Sequence, residues 1–377
     1  MLRIVHVVSA LVKGGAERAV VDLAAIQSRN GCDVTIVAGW KADEKLLRAE
    51  IDPSISVEYA GDGERGRYSQ ALKWAWRRRA WLRQCDVLHV HLTYGAVIGS
   101  GLYLLRSGPR PIVVETYHAS GMPIPAIQSW VHRQLARARD SMVFMAEDSR
   151  WNRFRRNRPY PRTALIWNGL ADPLCLSRTS PEAQSYRRSS GLPAATGLVI
   201  GTIGRLVAER RPELVVRAFA EAARLLRPNA HFLFVGDGPE RASLRRLGKE
   251  LGIGDRLHFP GLALDPAPAL AQMDLYVSVN VGNVTGLAGV QAAMCAVPTV
   301  AVQLDSNHSS AESDWIWSAV EPAAVGAEIA RLANDEAARR DRGLRQRQFA
   351  KEKFSIARME QSYRSLYSDL IRSNELR

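Results

Sequence analysis

Two arginines five residues apart follow an apolar run in Ile200-Gly-Thr-Ile-Gly-Arg-Leu-Val-Ala-Glu-Arg210. A loop after a strand can aim Arg205 and Arg210 at one multiply charged anion, while Gly204 lets the backbone come close. Gly14 and Gly15 precede a helix that begins near Glu17, and Gly286 precedes a helical segment at 287–294. A glycine turn that opens a helix offers free backbone N–H groups and the positive end of the helix to phosphate. The chemistry these residues share is the binding of a diphosphate. Each also has a plainer reading, the arginines as solvated charges and the glycines as ordinary tight turns. A G-x-G-x-x-G fingerprint is missing after the first strand, which argues against a dehydrogenase.

His118 closes the run Val113-Val-Glu-Thr-Tyr-His118 at the carboxyl end of a second apolar segment. His89 and His91 sit two apart on one strand face. That spacing suggests a metal, but the sequence offers no third ligand, so they read as structural or pocket-edge residues. No Asp-x-Asp occurs anywhere in the chain. Cys32, Cys85, Cys175 and Cys295 are scattered singly, and the chain reads as cytoplasmic and reduced.

Short apolar runs alternate with amphipathic, helix-length segments from end to end. The first half offers strands at 3–8, 34–38, 87–90, 112–115, 142–144 and 163–166, with helices at 17–28, 70–84 and 125–139 between them. The pattern restarts with strands at 198–203, 231–235, 257–259, 275–278 and 299–302. Strands apolar throughout, with helices between, predict parallel sheets covered on both faces. The expected fold is therefore α/β, two doubly wound domains over 1–175 and 197–354 facing a cleft. Residues 176–196 read as a linker, and 355–377 as a final helix packing back on the first domain. A length of 377 residues suits two domains. No run reaches the roughly 20 apolar residues needed to cross a bilayer.

The loops that carry the chemistry are similar to those of the retaining glycosyltransferase family 4. Phe234-Val-Gly-Asp-Gly-Pro-Glu240, followed by Leu251-Gly-Ile and Asp255-Arg-Leu-His-Phe-Pro-Gly261, resembles the family's nucleotide-side block. Gly204 to Arg210 resembles its "GRLVPEK" segment, Gly14-Gly-Ala-Glu-Arg18 its first glycine loop, and Trp167-Asn-Gly169 its "PNG" turn. The resemblance implies a GT-B fold and transfer of a sugar from a nucleotide-sugar, a UDP- or GDP-sugar, to a carbohydrate or lipid-linked acceptor. It implies retention of configuration, no metal and no cofactor. His118, Arg205 and Arg210 would be catalytic. Donor contacts would come from Gly14 and Gly15, from Gly204, from Gly236 and Asp237, from Gly261 and Leu262, and from Asn283, Thr285, Gly286, Leu287 and Gln291.

One departure is clear. The family's two glutamates, with seven residues between them, fall here on Asn283 and Gln291, counting back from Cys295-Ala-Val-Pro298. An amide keeps one acceptor and adds donors, so donor binding can persist in altered form. A retuned enzyme and a catalytically weakened pseudo-enzyme serving as a binding subunit both fit this change.

The net charge of +13 is uneven, with +10 carried by residues 1–178. Arginines and tryptophans interleave at 72–83, at 127–139 and on to 162. Such helices suit an anionic membrane surface, and they equally suit ordinary core-facing stripes. Nucleic acid is not expected, because no binding motif accompanies the charge.

Overall fold

Continuous Val, Ile, Leu and Ala runs form the strands, and burial on both faces is why they lack alternation. The structure is a computed structural model of residues 1–377. It describes all residues except 12–14, 41–49, 63–66, 92–109, 119–138, 146–161, 195–196, 281–285, 305–315, 319 and 376–377.

The chain divides into two units. The first comprises Met1–Ala171 and Phe354–Arg377, the second Asp172–Lys353. In the first, β1 (Arg3–Ala10), β2 (Asp33–Trp40), β3 (Ser56–Tyr59), β4 (Val87–His91), β5 (Ile112–Tyr117), β6 (Ser141–Phe144) and β7 (Arg162–Leu165) form one sheet in the order β3-β2-β1-β4-β5-β6-β7. Every pairing is parallel. The order reverses between β1 and β4, which puts a topological switch point at their carboxyl ends. Helices α1 (Gly15–Arg29), α2 (Arg67–Arg77) and α3 (Arg79–Leu82) follow their strands. Trp74 and Trp81 pack on the core of the first sheet, whereas Leu72 and Trp76 stay exposed. The basic helix expected at 125–139 and the arginines at 150–158 lie outside the described residues, apart from Arg139. Arg139 is buried in an ion pair with Glu115.

In the second unit, α4 (Pro181–Ser189) precedes β8 (Val199–Ile203), and α5 (Pro212–Leu225) precedes β9 (His231–Val235). Then come α6 (Arg241–Glu250), β10 (Leu257–Gly261), α7 (Ala267–Leu270), β11 (Leu275–Asn280) and α8 (Leu287–Met294). The unit ends with β12 (Thr299–Gln303), β13 (Ile316–Ser318), α9 (Pro322–Asn334) and α10 (Glu336–Lys353). Its parallel sheet runs β10-β9-β8-β11-β12-β13, with the switch point between β8 and β11.

Three expectations need correction. Residues 176–196 are not a linker, because they contain α4. Ser180 caps that helix by accepting from the Ala183 N–H, Pro181 opens it, and Arg187 anchors it by donating to Gln272 at 2.8 Å. Cys175 and Cys295 are joined in a disulfide across a sequence separation of 120, so the cysteines are not all single. The third histidine beside His89 and His91 is His6, brought there by β1 (below).

The chain returns to the first unit through α11 (Ile356–Glu375), whose Met359, Tyr363, Leu366 and Tyr367 join the core over β1, β4 and β5. Trp167-Asn-Gly169 is clamped by this return. Leu170 donates to the Phe354 carbonyl and Ile356 donates to the Leu170 carbonyl. A Cβ on Gly169 would stand 2.6 Å from the Ser355 carbonyl oxygen, so only glycine fits.

Candidate functional site

At the carboxyl edge of the second sheet, backbone hydrogen bonds tie three strand-end loops together. Gly204 N–H donates to Val235, Leu206 N–H to Asp237, and Gly236 N–H to Gly261, at 2.8–3.0 Å. This needs glycine at 236. Its φ is +135°, and a Cβ there would lie 1.9 Å from the Gly204 carbonyl oxygen. Thus Gly204, Gly236, Asp237 and Gly261 share one locus, with Leu262 exposed beside it.

Arg205 and Arg210 extend from the same β8 loop, with Arg210 closing a short 3-10 turn at Ala208–Arg210. A Cβ on Gly204 would come within 3.9 Å of an Arg210 terminal nitrogen, so that guanidinium lies along the glycine. Partial desolvation, then the neighbouring charge of Arg205, lower the pKa of Arg210, while the Tyr276 hydroxyl opposes the shift. Among the described residues neither arginine has an acidic partner. Two cations without a counterion at a switch point suit an anion. The sheet's next strand-end contributes α8, whose cap is Gly286, with Leu287 in its first turn. Gln291 is half-buried one turn further on. Gly14, Asn283 and Thr285 lie outside the described residues, and Gly15 is the first residue of α1. A recess of about 490 Å³ between Arg245, Lys249 and His258, along the edge strand β10, holds none of these residues.

The first sheet places polar groups where its apolar pattern breaks. β1 and β4 pair in register with His6 opposite His89. His6, His89, His91 and Thr116 are fully buried beneath α1 and α11. The Gln27 side-chain oxygen lies 2.7 Å from His6 Nε2, His6 Nδ1 lies 3.0 Å from His91 Nε2, and His91 Nδ1 lies 2.9 Å from His118 Nε2. A parallel branch links Tyr367 Oη to His89 Nδ1, His89 Nε2 to Thr116 Oγ1, and Thr116 to Tyr363, each at 2.7 Å. Burial holds His6 and His118 down to about 4, and His89 and His91 well below their ordinary value. The rings are neutral at pH 7. Ligand atoms of His6, His89 and His91 lie within 4.8 Å of one another, the spacing of a metal site. Their ring nitrogens are nevertheless all occupied by the hydrogen bonds just named.

Sequence reading missed His6 and Gln27. The signal available was the alternation in His89-Val-His91, which put two imidazoles on one face without showing what faced them.

Two parallel, doubly wound sheets, each with polar loops at its carboxyl edge, are the architecture of GT-B glycosyltransferases. The structure of Anabaena Alr3699/HepE in complex with UDP and glucose superposes with a TM-score of 0.80 at 18% identity, covering 98% of this chain and all of that one. The family description "Glycosyltransferase Family 4" matches residues 13–171 and "Glycosyl transferases group 1" matches 197–335. The chain belongs to this family, the group 1 glycosyltransferases of family 4. It is 23% identical over 299 residues to N-acetyl-alpha-D-glucosaminyl L-malate synthase of Bacillus anthracis, spanning 77% of this chain and 76% of that protein. It is 33% identical over 101 residues to the lipopolysaccharide core biosynthesis glycosyltransferase LpsD of Rhizobium meliloti, 27% of this chain and 28% of that one. These relatives are a synthase and a transferase, and they give no support to a non-catalytic subunit.

Proposed function

We propose that this glycosyltransferase takes a UDP- or GDP-sugar and transfers the sugar with retention to a carbohydrate or lipid-linked acceptor in polysaccharide, lipopolysaccharide or glycolipid assembly. The observation that carries the reading is the pair Arg205 and Arg210, converging on the glycine-stitched edge of the second sheet with no acidic partner among the described residues. A diphosphate there gains two charge-assisted partners, worth about 1.5–3 kcal/mol each. Gly286 and the start of α8 add backbone N–H groups, and Gln291 faces hydroxyls as an acceptor and donor. His118, neutral at the end of β5, takes a hydroxyl of the sugar. The acceptor hydroxyl bonds to the anomeric carbon as the bond to the donor phosphate breaks. Its proton passes to that departing phosphate oxygen, so no protein base is required.

Support for the acceptor class comes from LpsD and from the exposed Leu72 and Trp76 beside Arg77 and Arg79, a surface suited to an anionic leaflet. The test is a thermal-shift and turnover panel of UDP-, GDP-, ADP- and CMP-sugars, with the product's anomeric configuration read by NMR. Stabilisation and turnover with one base class, and a retained anomer, are expected. Silence across the panel, or an inverted product, would overturn the reading.

A further inference from the structure

Every ring nitrogen of His6, His89 and His91 has a partner, so a cation could enter only by dismantling the network. One nitrogen at its end differs. His118 Nδ1 is buried and has no hydrogen-bond partner among the described residues. We infer that Gln27, acting through His6 and His91, holds His118 as its Nε2–H tautomer and leaves Nδ1 a bare lone pair that can only accept a hydrogen bond from a substrate hydroxyl. The substrate half of this inference rests on His118 meeting the sugar, as proposed above.

The direction of each bond follows from the first. The Gln27 side chain presents its oxygen to His6 Nε2 at 2.7 Å, and an amide oxygen has only lone pairs to offer. Its oxygen must then accept from His6 Nε2–H. A neutral imidazole carries one proton, so His6 Nδ1 is an acceptor and takes the N–H of His91 Nε2. His91 Nδ1 is then an acceptor in turn, and His118 Nε2–H donates to it. Each ring hands the constraint to the next, and burial keeps every ring neutral so that none can be a double donor. The consequence is selective. A hydroxyl satisfies the bare Nδ1, whereas a carboxylate or phosphate oxygen placed there meets another lone pair. Gln27, His6 and His91 are positioning residues, since none of them reaches the substrate.

The full chain labelled with 15N-histidine decides the matter by long-range proton–nitrogen correlation at neutral pH, where a bare ring nitrogen resonates far from a protonated one. His118 is assigned by its loss in His118→Asn. Wild type is expected to show His118 Nδ1 unprotonated. Gln27→Met, which removes the acceptor, is expected to give a mixture of tautomers and to raise KM for the sugar substrate roughly 2- to 10-fold, with kcat moved less. Gln27→Glu, which keeps an acceptor, is expected to retain the wild-type tautomer. Tyr363→Phe loses a buried hydrogen bond on the parallel branch and is expected to change neither tautomer nor KM. A protonated Nδ1 in wild type, an unchanged tautomer in Gln27→Met, or stoichiometric zinc retained by the purified protein on these histidines would each overturn the relay. A shifted tautomer with unchanged KM would overturn only the substrate half and remove His118 from the sugar. Transferase activity itself is judged separately, by turnover in wild type.

Discussion

Acidification should destabilise the first unit by way of His6. The folded pKa is depressed from 6.5 to about 4 because burial disfavours the charged ring, with the Gln27 hydrogen bond opposing in part. Between those values the unfolded chain binds a proton that the folded chain refuses. Stability from this group is therefore intact above pH 6.5, falls as pH drops toward about 4, and falls no further below that. Taking 6.5 and about 4 as the two values, lowering the pH from 7 to 5 costs about 2 kcal/mol for His6 alone. The slope near pH 5 is about 1.2 kcal/mol per pH unit. His89 and His91 act in the same direction. Against a total stability of about 5–15 kcal/mol this is a large loss. The assay is urea unfolding at a series of pH values, followed by tryptophan fluorescence. Seven of the nine tryptophans precede residue 172, so the signal reports mainly on the first unit. His6→Gln starts from lower stability and should show a shallower dependence on pH over the same window. Parallel curves for wild type and variant would refute the assignment of a neutral, proton-refusing His6.

Other outcomes follow from the second unit and the surface. Arg205→Ala and Arg210→Ala should each weaken nucleotide-sugar binding by about 1.5–3 kcal/mol, roughly ten- to a hundredfold in affinity by calorimetry, and unchanged affinity in both would remove them from the site. Gln291→Glu should tighten donor binding by at most about 1–2 kcal/mol, since a carboxylate accepts hydroxyls more strongly but must be desolvated. Turnover should survive EDTA, and activity restored only by manganese or magnesium would contradict the proposed metal-free diphosphate site. Leu72→Ser with Trp76→Ser should reduce sedimentation with anionic liposomes and leave neutral ones unaffected, and no binding to either in wild type would sink the membrane reading.

The doubly wound sheets were legible because each strand is buried on both faces and therefore apolar along its whole length, as at 34–38 and 231–235. Loops such as 204–210 and 234–240 were legible because glycine and arginine follow a strand at short range. Residues 176–196 misled because serine, proline and arginine are loop formers in aggregate. Ser180-Pro181-Glu182 nevertheless has the order of a helix start, a cap followed by proline and an acid. The His6–His89 pair and the Cys175–Cys295 disulfide depend on contacts 83 and 120 residues apart, which no local spacing encodes. Glu115 sits unmarked within the run 113–118, and only the fold reveals Arg139 as its partner.

The return of α11 to the first unit sets an order on how the chain is made. Residues 1–171 leave the ribosome before the second unit, but Tyr363 and Tyr367, which cover Thr116 and His89, leave only after it. The second unit, continuous in sequence, can close while the first still lacks its lid of tyrosines. Until then the buried imidazoles face water and titrate near their ordinary value. A nascent chain halted at residue 353 should accordingly hold a folded second unit and a loose, protease-sensitive first one, and release of residues 354–377 should be the event that completes the first.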